Sequence, residues 1–416
     1  MSSGDVCRLM WRRCALLRTA WIVFRFMSTL IDFCAAAAAV GLALLTAQLL
    51  AWRFGPPAPM GRYLAIDGLR GLLAFSVMLH HSVIWYGYAH TGLWVAPVSH
   101  VFAELGEGSV LLFFMITSFL FMGKISDTRA PVDWLRLYVS RILRLTPLYW
   151  LAMLGLMLMV GWLSGWTVRV PLAQLRNQVQ VWLGYGVSGY PDVNGVVDTW
   201  HIVAGVTWTL VYEWLFYMAL PLLALLIGRR PGWAAVVMSV LVLWWMLTQW
   251  HPNPRMLVVF ALGGITALYA LRQQFLLRFA TTSLAGWVAL GCLLLVLTLF
   301  PTAYDAWPTL LLWGVFVLVV CGNTLFGLLV HPATRMLGEM AYSVYLLHGL
   351  VLYLLFHVFL GEAAVRSWTP LHFWLVLLAI VPGVVVLSFM TWNWVERPGM
   401  RAVAPLMGRL RHSSLP

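Results

Sequence analysis

The chain has 416 residues, of which 62% are hydrophobic types and only 10% are charged. A soluble domain is roughly 45–50% apolar and about 25% charged, so this chain has too little charge to wrap a water-facing surface around so much apolar mass. That excludes a soluble enzyme, a disordered chain and a disulfide scaffold, and it leaves an all-α polytopic membrane protein.

The net charge is +12, from 26 Lys and Arg against 14 Asp and Glu. In a membrane protein such an excess marks the cytoplasmic loops and does not call for nucleic acid. The five cysteines (Cys7, Cys14, Cys34, Cys292, Cys321) are scattered and form no C-x-x-C pair, so neither a metal site nor a disulfide framework is indicated. No H-E-x-x-H, P-loop or Rossmann glycine pattern occurs.

In chain order, residues 1–59 form an extension. Within it 31–51 (IDFCAAAAAVGLALLTAQLLA) reads as an extra N-terminal helix that crosses the bilayer. Arg8, Arg12, Arg13, Arg18 and Arg25 precede it, and a single span leaves all five outside. Two short spans between about 14 and 51 restore the charge rule, as does translation from Met60. A signal peptide fits less well, because no small-x-small cleavage site precedes a soluble domain.

Ten core spans follow within 60–400, at 66–86, 108–123, 145–163, 207–227, 233–250, 256–271, 282–300, 308–329, 340–360 and 371–393. Breakers separate them, including Arg-Pro-Gly at 230–232 and His-Pro-Asn-Pro at 251–254. With the first core span starting in the cytoplasm, the inner loops and tail hold 16 Lys or Arg and the outer segments hold 4. Both ends of the core, and the basic tail 401–416, are therefore expected inside. The long outer segment 164–206, rich in Gly, Trp and Val, is expected to be an ordered cap or interfacial helix.

Ionisable groups in hydrocarbon are expensive, so each one is a candidate for function. The first core span carries Asp67, Arg70, His80 and His81. Asp67 and Arg70, three apart, can pair on one helix face. Arg70 and His81 are eleven apart, close to three turns, and share a face about 16 Å apart. A histidine at mid-membrane can act as a general base, or it can be structural and bond a neighbouring carbonyl.

The fourth span reads W208-T209-L210-V211-Y212-E213-W214-L215-F216-Y217 and places Glu213 about 9 Å below its outer end, at a depth comparable to His81. Glu213 can hold a histidine tautomer or bond an acceptor hydroxyl; it can equally be a protonated structural acid. Trp208, Tyr212, Trp214 and Tyr217 suit either sugar stacking or an interfacial belt. Arg141 and Arg144, at i and i+3, form one basic face that can fork phosphates, or simply mark the cytoplasmic side. His348 can line the same cavity or pack, and Glu396 at the inner edge reads as a structural ion pair.

These residues resemble the bacterial membrane-bound acyltransferase 3 family, over roughly 60–400. The matching elements are D-G-L-R-G with Arg70 and His81, R-x-x-R then Pro-x-Tyr at Arg141, Arg144, Pro147 and Tyr149, and W-T-L-x-x-E-x-x-F-Y at Trp208 to Tyr217. Tyr342 to His348 (Y-S-x-Y-L-x-H, with Tyr345) and Glu396 to Pro398 complete the order. One element departs: the family's F-F-x-x-S-G-F-L lacks its glycine here, where Thr117-Ser118-Phe119-Leu120 stands.

The resemblance implies an O-acyltransferase of the plasma (inner) membrane with no tightly bound cofactor. Acyl-coenzyme A, most often acetyl-coenzyme A, would be the co-substrate on the inner side, and the acceptor a hydroxyl of an exopolysaccharide, lipopolysaccharide or lipid-linked sugar. His81 would be base or acyl carrier, Arg70 and Asp67 would organise the inner end of the path, Arg141 and Arg144 would hold coenzyme A phosphates, and Glu213 would face the acceptor. Trp208, Tyr212, Tyr217, Tyr345 and His348 would line the acceptor side or cavity. A succinyl or other acyl group, or a proton-coupled glycan transporter or flippase, are the alternatives.

Overall fold

The computed structural model describes residues 3–57, 63–128 and 131–412, apart from the side chains of 3–28 and 411–412. The proposed start at Met60 lies outside the described residues. The fold among them is helical: α1 (Ser3–Phe54), α2 (Leu64–Thr91), α3 (His100–Ser126), α4 (Trp134–Leu163), α5 (Leu172–Leu183), α6 (Trp208–Leu226), α7 (Trp233–Gln249), α8 (Pro254–Tyr269) and α9 (Gln274–Ala280) form the first part. The second part comprises α10 (Ser283–Leu299), α11 (Ala306–Val320), α12 (Pro332–Glu339), α13 (Ala341–Tyr353), α14 (Glu362–Arg366), α15 (Pro370–Thr391), α16 (Arg397–Arg401) and α17 (Val403–His412).

Each of the ten predicted core spans falls on a helix. Seven described helices are long and apolar enough to cross a membrane, or eight if α9 and α10, bent by 82°, count as one span. The chain is thus a multi-pass membrane protein. The starts follow ordinary capping chemistry: Asn253 and Thr369 accept from the first turns of α8 and α15, each with proline at the first position. Gly92, in the left-handed region at φ 70°, closes α2.

One expectation needs correction. The span predicted at 308–329 stops at Val320, because Gly322 turns the chain at φ 119° and Asn323 ties it to Ala280 O at 2.8 Å. The short helix α12 follows, unforeseen. The extension is one continuous helix, α1, whose stretch Thr29–Phe54 is long and apolar enough to cross a membrane. A strip of Ala36, Ala39, Ala43, Ala47 and Ala51 is buried along α1, which packs on α12 and α15. Asp32 accepts from Ser99 Oγ at 2.6 Å, while Arg335 reaches Pro57 O at 3.0 Å, so α1 runs antiparallel to α2 across the bundle.

The bundle is held at a few places by backbone touching backbone. A Cβ on Gly71 would lie 2.5 Å from Gly338 N, and one on Gly338 would lie 2.0 Å from Asp67 O. The two glycines of D-G-L-R-G therefore let α12 lie directly on α2, with Gly68 against Leu329 O. Between α3 and α8 the close approach comes from the other partner: a Cβ on Gly263 would lie 2.3 Å from Met115 O, and one on Gly264 3.2 Å from Ser118 Oγ. The glycine missing at Ser118 is thus offset across the interface.

Candidate functional site

Five helices surround a cavity of about 810 Å³ of empty space, mouth included. Arg70 enters it from α2, Arg141 and Arg144 from α4, Glu213 and Tyr217 from α6, and Tyr342 and Tyr345 from α13. Phe113, Phe114, Ile116 and Leu120 of α3 form its apolar wall. The helical repeat explains the selection. Thr209, Glu213 and Tyr217, spaced by four, share the cavity face of α6, and Arg141 and Arg144, spaced by three, share that of α4.

The cavity holds three guanidinium groups against one carboxylate, Glu213. Glu213 Oε2 accepts from Tyr217 Oη at 3.0 Å. Arg141 lies over the Phe121 ring at 5.2 Å, and its buried Nε has no hydrogen-bond partner among the described residues. A buried cationic donor left unpaired is costly, and an anion entering the cavity would satisfy it.

His81 and His348 lie beside this cavity and do not line it. His348 Nε2 is 3.1 Å from His81 Nδ1. His81 Nδ1 also sits 3.0 Å from Val77 O, and His348 Nδ1 3.0 Å from Val344 O. One assignment satisfies all three contacts. His348 Nδ1–H donates to Val344 O, and His81 Nδ1–H is shared between Val77 O and His348 Nε2. That leaves His81 Nε2 as a free lone pair, with no partner among the described residues. Tyr345 stands between the two places: it lines the cavity, and its ring is 6.2 Å from His348. Its Oη is held by Thr209 Oγ1 at 2.7 Å and Val206 O at 3.0 Å.

The structure arranges several expected residues differently. Glu213 does not meet His81; its partner is Tyr217, and the partner of His81 is His348. The expected depth assumed that α6 starts at the outer surface. Instead 199–207 folds into the bundle, where Val203 lies against Gly349 of α13, and α6 starts from there. Glu213 thereby reaches the arginine cavity. Asp67 and Arg70 form no ion pair, since Arg70 turns to the cavity while the Asp67 backbone is pressed on Gly338.

Trp208 and Tyr212 occupy another face of α6, packing on Phe114 at 6.2 and 5.5 Å. Tyr212 Oη accepts from Asn253 N at 2.8 Å, a loop-holding bond. Glu396 is buried and bonds Ser343 Oγ in place of an ion pair, because the π-helical turn Trp392–Glu396 aims it inward at α13. Sequence reasoning missed the support for α4. A Cβ on Gly399, just after Glu396-Arg397-Pro398, would lie 2.2 Å from Leu143 O, between the two arginines. Tyr149 Oη donates to Trp182 O at 2.6 Å and fixes the cap helix α5 on the same α4. The glycine after the proline was the available signal.

A family described as an acyltransferase domain, the acyltransferase 3 family, matches residues 63–393. The chain belongs to this family. It is an enzyme, a membrane-embedded acyltransferase. The chain is also 27% identical over 380 residues to Nodulation protein 10 of Rhizobium leguminosarum bv. viciae, covering 82% of this chain and 95% of that protein. No solved structure matches it. The match begins just before α2 and ends just after α15, so it takes in the cavity, both histidines and every helix that carries them.

Proposed function

We propose that this acyltransferase moves an acyl group, acetyl in the first instance, from acyl-coenzyme A to a hydroxyl of a surface, secreted or lipid-linked saccharide. The observation that carries the reading is the cavity with three arginines and one carboxylate, set beside a histidine pair with a free Nε2. The phosphates of coenzyme A are the anions such a cavity suits, with Arg141 and Arg144 as the fork and Arg70 as a third contact. Glu213 and Tyr217 hold the cationic wall in place from α6. The positive-inside count supports a cytoplasmic mouth for this cavity, in a protein of the plasma membrane with the core ends inside.

In the reaction the acceptor oxygen attacks the thioester carbonyl while His81 Nε2 removes its proton. The carbon–sulfur bond breaks, the coenzyme A thiolate leaves, and the proton passes from His81 to that sulfur. His348 holds the ring of His81 in the tautomer that leaves Nε2 unprotonated. The test is transfer from radiolabelled acetyl-coenzyme A by the full-length protein in nanodiscs, with polysaccharide from a strain lacking the gene as acceptor. Transfer by the wild type and none by His81→Ala is expected. Full transfer by a folded His81→Ala protein would refute the assignment.

A further inference from the structure

We propose that the aromatic cluster beyond the histidine pair, at the far end of α2 and α13, is the docking site of the acceptor, a saccharide ring with free hydroxyls. The inference rests on the reading above and adds the acceptor's place to it. The cluster consists of Trp85, Tyr88, Trp94, Trp200, His201 and Tyr353. Trp85 and Tyr88 lie four and seven residues past His81 on α2, about 6 and 10 Å along the helix, and Tyr353 lies five past His348 on α13. The arginine cavity lies the other way along both helices. A molecule held here therefore meets His81 from the side opposite the donor.

The rings converge on His201. Trp94 stacks on it at 4.3 Å and 21°, Tyr88 stands at 5.2 Å, and Trp85 at 6.4 Å. Trp85 also contacts Tyr353 at 5.6 Å, and Trp94 contacts Trp200 at 5.5 Å. Packing alone does not account for the polar atoms. Trp85 is 1% exposed and His201 6%, yet Trp85 Nε1 and His201 Nε2 are both buried with no hydrogen-bond partner among the described residues. Each such unmet group is costly, so two together mark a place built for a partner. Burial also pushes the imidazole of His201 below its ordinary range, so the ring is neutral and both gives and takes a hydrogen bond.

A sugar ring matches that demand. It offers a C–H face to indole and imidazole planes and hydroxyls to the Nε1–H and Nε2 atoms. Entry has a route as well. Trp94 sits on the irregular stretch after Gly92, among Leu93, Val95 and Val98, which are 62%, 58% and 98% exposed. It is the plate that covers His201 from that side, and a sugar ring that parts the two would be stacked on both planes.

The test uses the full-length protein in nanodiscs with radiolabelled acetyl-coenzyme A and deacylated polysaccharide from the strain lacking the gene. A wild type that acetylates no glycan defeats the parent reading before the cluster is tested. Given wild-type transfer, Trp94→Ala and His201→Ala are expected to raise KM for the glycan about tenfold each, the loss of one stacking or hydrogen-bonding partner. Binding of acetyl-coenzyme A by equilibrium dialysis should not change. Trp94→Phe should recover most of the Trp94→Ala loss, and Val98→Ala, on the exposed loop, should match wild type. Wild-type glycan KM in both alanine variants overturns the proposal. So does a KM rise that comes with an equal loss of acetyl-coenzyme A binding, which would signal general damage.

Discussion

Gly71→Ala offers a test of how the site is positioned. The added methyl carbon would lie 2.5 Å from Gly338 N and 2.7 Å from both the carbonyl carbon and Cβ of Leu337. Those distances fall short of ordinary contact, 3.4 Å, by most of an ångström, and two of the three atoms are backbone, so no rotamer change relieves them. Overpacking of a close-packed interior costs about 1–3 kcal/mol. The intrinsic preference for alanine over glycine within a helix returns about 1 kcal/mol at most. Gly314, inside α11 with nothing within 4 Å of its would-be Cβ, supplies the internal control, since there only the helix preference acts. The expectation is opposite signs: Gly71→Ala melts several degrees below wild type and Gly314→Ala at or slightly above it. The assay is thermal unfolding of full-length protein in nanodiscs, followed by acetyl transfer at a temperature where both remain folded. Folded Gly71→Ala should also transfer more slowly, because α2 carries Arg70 and His81 together. Gly71→Ala melting at or above Gly314→Ala would refute the backbone-contact argument.

Other outcomes follow from the same geometry. His348→Ala should lower kcat about a hundredfold or more while KM for acetyl-coenzyme A stays near wild type, because it frees the His81 ring without touching the arginines; a parallel rise in KM would count against a positioning role. Arg141→Ala should raise KM for acetyl-coenzyme A about tenfold or more, and should lose that discrimination with acetyl-pantetheine, which lacks the phosphates. Glu213→Gln should abolish product without loss of folded protein, read by transfer alongside size-exclusion of the purified variant. Ser343→Ala removes the hydroxyl partner of buried Glu396 and should cost about 1–3 kcal/mol in a melting experiment.

The spans were legible because hydrocarbon tolerates neither exposed backbone nor charge. A run of apolar residues as long as the bilayer announces a helix without reference to its neighbours. The same scarcity of charge made Arg70, His81, Arg141, Arg144 and Glu213 conspicuous, and four of these five line one cavity. Depth, by contrast, is not legible one helix at a time. Counting from the start of α6 puts Glu213 at the depth of His81, but the segment before α6 folds inward onto Gly349, and that contact is 140 and more residues away in sequence. Likewise Glu396 finds Ser343 only because a π-helical turn aims it there.

Composition and motif order alone therefore determine that this is a multi-pass helical membrane acyltransferase and which few polar residues matter. They depend on local quantities, the transfer cost of each side chain and the spacing of residues on one helix. Only the tertiary structure decides which polar groups meet: His81 with His348, Glu213 with Tyr217 among the arginines, and His201 beneath Trp94. Those pairings are fixed by how closely helix backbones approach at Gly71, Gly338, Gly263, Gly349 and Gly399. Such contacts join residues far apart in the chain, and no period in the sequence encodes them.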